Sequence, residues 1–460
     1  MIEERRTAGS AADEVLGAVE VPRGLLIGGD WVEATSGGTF GVVDPSTGRE
    51  VARVACAGAE DVDRAVAAAR SEFDEGTWSR MPVAQRARAL QRFADAIEDR
   101  IEDLYRVETV NNGRPISETR AQLSRLPEWY RYNAALLLAD RSDVIQMPGP
   151  YHTYTSRFPI GVVGILSSFN HPMMIGSKSL APALATGNGV LLKPSELTPL
   201  TSLMLGRIAL DAGIPPGVLN VVPGYGAEAG RRVAEHPGIG KVTFTGGTAA
   251  GRSVAAAAAG RFAKITVELG GKTPVMVFDD VDVEEAARGV AFGGFVAAGQ
   301  TCICGSRLLV HRRIHDEFVE RLVAIAKTIR IGSPLDPKTQ LGPLISARAR
   351  QRVLEYVDIG KEEGAKVATG GGIPHDPALA AGFFIEPTIL VGVRNQMRCA
   401  REEIFGPLLV VIPFEDEDDA VAQANDSPFG LGSSIWTRDV ARALRVAERS
   451  EHGLVWVNDH

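Results

Sequence analysis

Cys302 stands where a cysteine can do covalent chemistry. It closes the GQTC stretch at 299–302, between an apolar segment rich in Ala and Gly, 283–298, and a β-prone segment, 306–311. A cysteine at such a junction can present its sulfur to a ligand while packed elements hold its backbone, and a thiolate attacks carbonyl carbon well. The alternative interpretation is a buried cysteine that packs as a small hydrophobic residue. The four residues alone leave both interpretations open.

Two other stretches favour the interpretation of Cys302 as a nucleophile: VELGGK at 267–272 and EEIFGP at 402–407. In the first, Glu268 lies between an apolar strand pattern and two glycines. A solvated carboxylate at a strand end would be the ordinary interpretation of an isolated glutamate, but it fits this setting poorly. In the second, Phe405 could also be a core residue. These stretches therefore raise the expectation of a catalytic site without defining its chemistry.

Composition excludes several classes of protein. The net charge of −8 disfavours nucleic acid and anionic membranes as partners. Four cysteines in 460 residues suit a reducing, cytoplasmic compartment better than a disulfide scaffold. Cys302 and Cys304 are not followed by a His/Cys cluster at zinc spacing, so no metal site is expected. No apolar run reaches 18 residues, so no membrane span is predicted.

From residue 161 onward, strand and helix patterns alternate. Apolar strands at 162–166, 190–193, 219–222, 241–245 and 264–269 are separated by helical patterns, the last of them at 248–259, and a further helix is predicted over 283–298. This alternation predicts an α/β fold with a doubly wound parallel sheet, whose ligands bind beyond the carboxyl ends of the strands. Glycine-bearing turns that lead into helices there are natural phosphate sites.

The rest of the chain flanks this sheet. Residues 1–24 form an N-terminal tail without the apolar core of a signal peptide. Residues 25–139 and 160–269 are predicted to form one domain, 140–159 a projecting hairpin, and 270–460 a second α/β domain. In that second domain a long helix is predicted from Ser346, its N-cap, to Glu363.

Six motifs together resemble the aldehyde dehydrogenase superfamily, of the NAD(P)-dependent, non-acylating type. The similarity runs from about residue 25 to the C-terminus. Any one motif is weak, but their joint occurrence in this order is very specific. They are FNHP at 169–172, KPSE at 193–196, FTGGT at 244–248, VELGGK at 267–272, GQTC at 299–302 and EEIFGP at 402–407.

The resemblance implies a set of catalytic roles. Cys302 would be the nucleophile, and its thiol pKa would need to lie below the ordinary value. Asn170 would donate its side-chain amide to the oxyanion, together with the backbone N–H of Cys302; taken alone, Asn170 could be a turn former before Pro172. Glu268 would be the general base that activates the deacylating water.

The resemblance also implies a dinucleotide site. Lys193 and Glu196 resemble the pair that holds the adenosine ribose, and a carboxylate there favours NAD, with NADP as a weaker alternative. The pyrophosphate is expected near Gly246 and Gly247. The other implied cofactor residues are Leu269, Glu403 beside the nicotinamide ribose, Phe405 beside the ring, and Gly226, a lesser candidate because its motif reads GxGxxxG.

Some positions depart from the family pattern. His171 replaces a common aromatic residue after Asn170, and is expected to line a more polar substrate tunnel together with Met173 and Met174. A lysine common near the site is replaced by Ser179, with Lys178 one position earlier, and Gly247 replaces a serine. The chain stops at 460, before the family's last strand, which in relatives pairs with the 140–159 hairpin. The expected assembly is a homodimer or higher homo-oligomer with that hairpin edge weakened.

The predicted function is oxidation of an aldehyde to its acid with NAD, through a cysteine thiohemiacetal and thioester. The expected partners are a small-molecule aldehyde and further copies of the chain, with no nucleic acid or membrane. One alternative is a CoA-acylating enzyme, which the presence of Glu268 disfavours because such relatives lack this base. Another is a catalytically silent nucleotide-binding protein on the same fold, which the intact Cys302, Glu268 and Asn170 disfavour.

Overall fold

The computed structural model describes residues 11–460. Within that range the chain forms two compact units. The first comprises residues 11–43, 50–112 and 119–268, and the second comprises 44–49, 113–118 and 269–460. Part of the predicted N-terminal tail is helical, and residues 1–10 lie outside the described range. The assignment of a cofactor domain, a hairpin and a catalytic domain stays a prediction.

The first unit contains a seven-stranded sheet in the order β11-β10-β7-β8-β9-β1-β2. The strands up to Glu268 are β1 (Leu25–Ile27), β2 (Asp30–Val32), β3 (Thr39–Asp44), β4 (Arg49–Ala55), β5 (Val144–Ile145), β6 (Thr153–Tyr154), β7 (Val162–Leu166), β8 (Gly189–Lys193), β9 (Leu219–Val221), β10 (Ile239–Thr245) and β11 (Lys264–Glu268). The helices over the same range are α1 (Ala11–Ala18), α2 (Ala59–Glu75), α3 (Val83–Asp99), α4 (Ile101–Asn112), α5 (Ile116–Leu123), α6 (Leu126–Ala139), α7 (Pro172–Ala185), α8 (Leu200–Asp211), α9 (Arg231–Glu235) and α10 (Thr248–Ala259).

The parallel part of this sheet confirms the predicted fold class. Strands β7 to β11 are parallel, and the antiparallel pair β1–β2 extends the edge next to β9. The chain winds outward from β7 to β9 and then returns to place β10 on the other side of β7. The strand order therefore reverses between β7 and β10, where ligands of such sheets bind beyond the carboxyl ends. Asn170 follows β7 and Gly246 follows β10.

The second unit contains another seven-stranded sheet, in the order β14-β15-β16-β13-β12-β17-β18, parallel except for β14. Its strands are β12 (Pro274–Val277), β13 (Arg307–His311), β14 (Lys366–Thr369), β15 (Thr388–Val391), β16 (Leu408–Phe414), β17 (Gly432–Trp436) and β18 (Leu454–Val457). Its helices are α11 (Val283–Phe295), α12 (His315–Thr328), α13 (Ala347–Glu362), α14 (Arg398–Arg401), α15 (Glu417–Asn425) and α16 (Val440–Arg449).

Predicted boundaries are correct where local signals are strong. The predicted ranges of β7 and α10 match the observed ones, and Ser346 caps α13 by accepting a hydrogen bond from the backbone N–H of Ala349 at 3.2 Å. The helix predicted over 283–298 is wrong at its end. α11 stops at Phe295, because Ala297 and Ala298 have positive φ angles of 53° and 54° that a right-handed helix cannot contain.

The 140–159 segment forms a small antiparallel sheet in which Val144 pairs with Tyr154 and Ile145 with Thr153. Most of its apolar side chains are exposed. Its role in assembly is a prediction that the single chain does not test. Among residues 11–460, no helix combines the length and the apolar character that a membrane crossing requires.

Candidate active site

The loop that carries Cys302 is held in an unusual backbone conformation. Three successive residues, Ala297, Ala298 and Gly299, have left-handed φ angles of 53°, 54° and 68°. A Cβ atom on Gly299 would lie 2.3 Å from the carbonyl oxygen of Gly406, so only glycine fits there. The left-handed turn thus lets the cysteine loop contact the backbone of the EEIFGP stretch directly.

Two polar side chains of the second unit fix this loop. The buried amide of Gln300 donates to the carbonyl of Ala297 at 3.2 Å and accepts from the backbone N–H of Ile345 at 2.9 Å. The Glu118 carboxylate accepts from the N–H of Ala297 at 3.1 Å and pairs with Arg114 at 3.3 Å. Burial raises the pKa of Glu118, and Arg114 opposes that shift. Sequence reasoning missed Glu118, because nothing near it in the chain indicates this contact.

Cys302 and Cys304 have different environments. Cys302 is partly exposed at a turn that the N–H of Cys304 closes by donating to the carbonyl of Thr301 at 3.0 Å. Cys304 is buried, and its thiol donates to the carbonyl of Gly294 at 3.3 Å. Burial raises the pKa of Cys304 to about 12, which keeps it a thiol at neutral pH. None of the four cysteines forms a disulfide. Of the pair, only Cys302 is accessible for attack on a ligand.

The glycine pair after Leu269 packs between Cys302 and Glu403. A Cβ atom on Gly271 would lie 2.8 Å from the carbonyl oxygen of Cys302, and one on Gly270 would lie 2.0 Å from a carboxylate oxygen of Glu403. The N–H of Gly271 donates to that same oxygen at 3.2 Å. The structure therefore brings three predicted site residues, Leu269, Cys302 and Glu403, into one connected backbone arrangement within the second unit.

Glu403 and Phe405 belong to a strained loop. Phe405 has a φ angle of 62°, a conformation that bulky residues rarely adopt and that is typical of functional sites. Arg352 holds the loop by donating to the backbone carbonyls of Glu403 and Ile404. Burial raises the pKa of the Glu403 carboxyl. A small open pocket here is lined by Gly271, Gly299, Thr301, Cys304, Ser306, Glu403, Ile404, Phe405, Gly406 and Leu408.

Lys272 directly follows Gly271, one of the pocket residues, and sequence reasoning assigned it no role. Its side chain is 2% exposed, and its ammonium nitrogen has no hydrogen-bond partner among the residues that the structure describes. Burial lowers the pKa of Lys272 to about 8, while the Cys304 and Cys399 thiols act in the opposite direction. The positive charge of Lys272 in turn favours the ionised form of Glu403. A charged residue directly after two glycines was the signal that could have drawn attention to it.

In the first unit, Asn170 is buried between β7 and α7. Its side-chain oxygen accepts from the hydroxyl of Ser168 at 2.6 Å, and its backbone carbonyl accepts from the side chain of Asn112 at 3.0 Å. Because the side-chain oxygen accepts a hydrogen bond from the Ser168 hydroxyl, that contact leaves the two N–H donors of the amide for another acceptor. The expectation that Met173 lines the tunnel is wrong: it is 1% exposed within the core, whereas Met174 is half-buried.

Glu268, the other catalytic candidate of the first unit, lies next to the loop expected to hold the pyrophosphate. Glu268 ends β11 opposite Thr245, and its backbone carbonyl accepts from the N–H of Gly246 at 3.1 Å. Its side chain is exposed. Gly247 is the N-cap of α10, and a Cβ atom there would meet nothing within 4 Å. The N-terminus of α10 is therefore open and suited to an anion.

The predicted ribose pair lies at the end of β8. The ammonium of Lys193 is 3.5 Å from the carboxylate of Glu196 and donates to the carbonyl of Pro194 at 2.8 Å. Burial lowers the pKa of Lys193, and Glu196 opposes that shift. Gly226 begins a π-helical turn that leads into α9, and open space surrounds its missing Cβ. Its position requires no glycine, which agrees with its lesser rank among the candidates.

Comparison with known proteins identifies the family. The model of the aldehyde dehydrogenase family matches residues 31–460. The chain is 40% identical to betaine aldehyde dehydrogenase of Bacillus subtilis, over 95% of this chain and 89% of that protein. Among solved structures, PnpE from Pseudomonas sp. WBC-3 is 44% identical with a TM-score of 0.93, covering 95% of this chain and 90% of that one. Betaine aldehyde dehydrogenase of Staphylococcus aureus, solved with NAD+, is 36% identical with a TM-score of 0.95, covering 98% and 90%. The chain belongs to the aldehyde dehydrogenase family.

Proposed function

We propose that this chain oxidises an aldehyde to its carboxylic acid with NAD. The observation that carries the proposal is the rigid loop that presents a partly exposed Cys302 while the neighbouring Cys304 stays buried as a thiol. A nucleophile must be both accessible and held in place, and of these two cysteines only Cys302 meets both conditions. Family membership and the NAD complexes of the solved relatives agree with this function.

The residues present fit the cofactor. The open N-terminus of α10 at Gly246 and Gly247 suits a pyrophosphate, and the Lys193–Glu196 pair at a strand end suits ribose hydroxyls. Glu403 and Phe405, with Leu269 and the lesser candidate Gly226, complete the proposed binding set. The carboxylate of Glu196 would repel a 2′-phosphate, which makes NADP the weaker cofactor. When bound, NAD supplies the acceptor for a hydride from the substrate carbon.

The chain's own groups carry the other steps. The Cys302 thiolate attacks the aldehyde carbon and forms a C–S bond, while the oxygen takes the negative charge and is stabilised by the Asn170 amide and the Cys302 N–H. Loss of hydride from that carbon leaves a thioester. Glu268 then takes a proton from water, which attacks the thioester; the acid leaves and the thiolate is restored.

The proposal extends to organisation and assembly. Residues 25–139 and 160–269 are proposed as the NAD-binding domain and 270–460 as the catalytic domain, in a cytoplasmic homodimer or higher homo-oligomer. Absorbance of NADH, followed over a panel of aldehydes with NAD or NADP, tests the activity. No NADH with any aldehyde would contradict the proposal, and acid formation only in the presence of coenzyme A would favour the acylating alternative.

A further inference from the structure

We propose that the accessible side of α7 binds a carboxylate at the far end of the substrate, so that the preferred substrates are semialdehydes that carry an acid group. The inference rests on the proposed function, because it takes Asn170, just before α7, as the group that receives the aldehyde oxygen. It goes beyond that function by giving the substrate a charge and α7 a role in recognising it.

The accessible side of α7 is a single stripe that starts near Asn170. Most α7 side chains are buried, whereas Lys178 and Pro182 are exposed and Met174 and Ser179 are half-buried. Met174, Lys178 and Pro182 are spaced four residues apart and therefore lie on one face of the helix. With a rise of 1.5 Å per residue, Lys178 lies about 9 Å along the axis from Pro172, the first residue of α7, and its side chain leans back toward the helix N-terminus, where Asn170 lies. A short substrate chain can span the distance between the two groups.

Packing between α6 and α7 brings Lys178 next to an aromatic side chain of α6. The hydroxyl of Tyr130 donates to the hydroxyl of the neighbouring Ser177 at 2.9 Å in the buried seam between the helices. Beside that contact, on the accessible side, the ammonium of Lys178 lies 5.3 Å from the centre of the Trp129 ring. The aromatic face attracts the cation and holds it in place. This contact favours the rotamers of Lys178 that keep its ammonium beside Trp129.

The charge distribution along the stripe favours an anion. Lys178 is the only charged residue of α7, and it forms no ion pair with any residue from 11 to 460. The acid next to Trp129 in the chain, Glu128, is 3.7 Å from Arg125. An ammonium without a carboxylate partner keeps its donors for a ligand, and a charge-assisted hydrogen bond to a carboxylate is about twice as strong as a neutral one.

The rest of the stripe matches such a substrate. Near Asn170, the largely buried His171 donates its Nδ1–H to the amide oxygen of Gln122 at 3.1 Å, which places polar groups behind the aldehyde end. Met174 supplies an adaptable apolar surface in the middle. Lys178 supplies the cation at the far end. The sequence of polar, apolar and cationic surface corresponds to an aldehyde, a short carbon chain and a carboxylate.

The contact between Lys178 and Trp129 disfavours an aldehyde with a quaternary ammonium group as the substrate. Such cations are recognised by open aromatic faces. In this chain Lys178 already covers one face of Trp129, and its charge repels a second cation. The chain is therefore expected to differ in substrate from the relatives that are named betaine aldehyde dehydrogenases.

Steady-state kinetics test this subsite with matched substrates. The assay compares dicarboxylic semialdehydes of increasing length with alkanals of the same length, and includes betaine aldehyde. We expect kcat/KM to favour at least one semialdehyde over its alkanal by about 10-fold, the size of one charge-assisted hydrogen bond. Because the contact is present in both ground state and transition state, the preference should lie in KM.

Variants of Lys178 locate the effect. Lys178→Gln should raise KM for the semialdehyde about 10-fold and leave kcat and the alkanal kinetics unchanged. Lys178→Glu should reverse the preference and improve betaine aldehyde, and Lys327→Gln, at an exposed lysine of α12, should change nothing. Oxidation of alkanals and semialdehydes with equal kcat/KM would overturn the subsite while leaving the proposed function intact. Equal losses for both substrates in Lys178→Gln would reduce Lys178 to a structural role. No oxidation of any aldehyde would instead contradict the proposed function.

Discussion

At the scale of single residues, the two neighbouring cysteines provide an internal comparison. Cys302 is accessible, whereas burial holds the pKa of Cys304 at about 12. We expect Cys302→Ala to abolish NADH formation, because no other accessible thiol replaces it in the loop, and to leave NAD binding measured by calorimetry nearly intact. Cys304→Ala should keep most of the activity. Normal turnover in Cys302→Ala would exclude this residue as the nucleophile.

Glu268 is exposed at the end of β11, an environment in which a carboxylate can reach water. We expect Glu268→Gln to form the acyl-enzyme with a stoichiometric burst of NADH and then to stall, since loss of a general base slows such a step about 10²–10⁴-fold. Rapid-mixing absorbance separates the burst from the slow phase. Glu235→Gln, at an acid in the last turn of α9, serves as the control. A variant with unchanged steady-state turnover would show that another group activates the water.

Lys272 predicts a pH dependence of stability. Its pKa falls from 10.5 in the unfolded chain to about 8 in the folded chain. Between these values the unfolded chain binds the additional proton, so raising the pH through this window stabilises the fold. The shift corresponds to roughly 3 kcal/mol. Lys272→Met lacks this contribution. Denaturant titration should therefore show that the unfolding free energy of the parent chain rises relative to that of the variant by about that amount from pH 8 to 10.5. A constant difference would contradict a buried ammonium.

At the scale of elements, the left-handed turn after α11 determines where Cys302 points. Gly299 combines a φ angle of 68° with contact to the backbone of Gly406, whereas Gly392 has the same φ angle and open space around its missing Cβ. Gly392→Ala should therefore cost only the conformational penalty of about 1–2 kcal/mol. Gly299→Ala should cost about 1–3 kcal/mol more through overpacking, and should also lower kcat. Thermal unfolding and turnover of both variants measure the two effects, and equal behaviour would rule out a special role for the turn.

This turn also shows what the sequence could and could not predict. The bounds of β7 and α10 follow from local apolar patterns and glycine turns, and were predicted correctly. The early end of α11 depends on Glu118, 179 positions away from Ala297, and no local pattern reports such a contact. Lys272 was missed for the same reason, because its burial comes from packing around its side chain. The motifs identified the chemistry, whereas the supporting residues required the fold.

At the scale of the whole molecule, the proposed catalytic and cofactor residues are distributed over both units. The first carries Asn170, Glu268 and the groups proposed for the adenosine and pyrophosphate, at the strand-order reversal between β7 and β10. The second carries Cys302 with Glu403 and Phe405, joined through Gly270 and Gly271. The chain passes directly from Glu268 in one unit to Leu269 in the other. The VELGGK stretch thus contains both the proposed base and the backbone that packs on the nucleophile loop.

Assembly is the remaining prediction at this scale. The 140–159 segment, which contains the β5–β6 pair, exposes Val144, Tyr151, Tyr154 and Phe158 by 61%, 71%, 63% and 82%. That is more apolar surface than a two-stranded sheet leaves in water without a partner. We expect the chain to self-associate as a homodimer or larger, with this sheet in the contact. Tyr154→Lys places a charge on the edge and should shift the chain toward monomer at micromolar concentration. Ile373→Lys, at a partly exposed apolar residue of the second unit, should not. Light scattering after gel filtration measures both, and a monomeric parent chain or an unaffected Tyr154→Lys assembly would contradict the predicted contact.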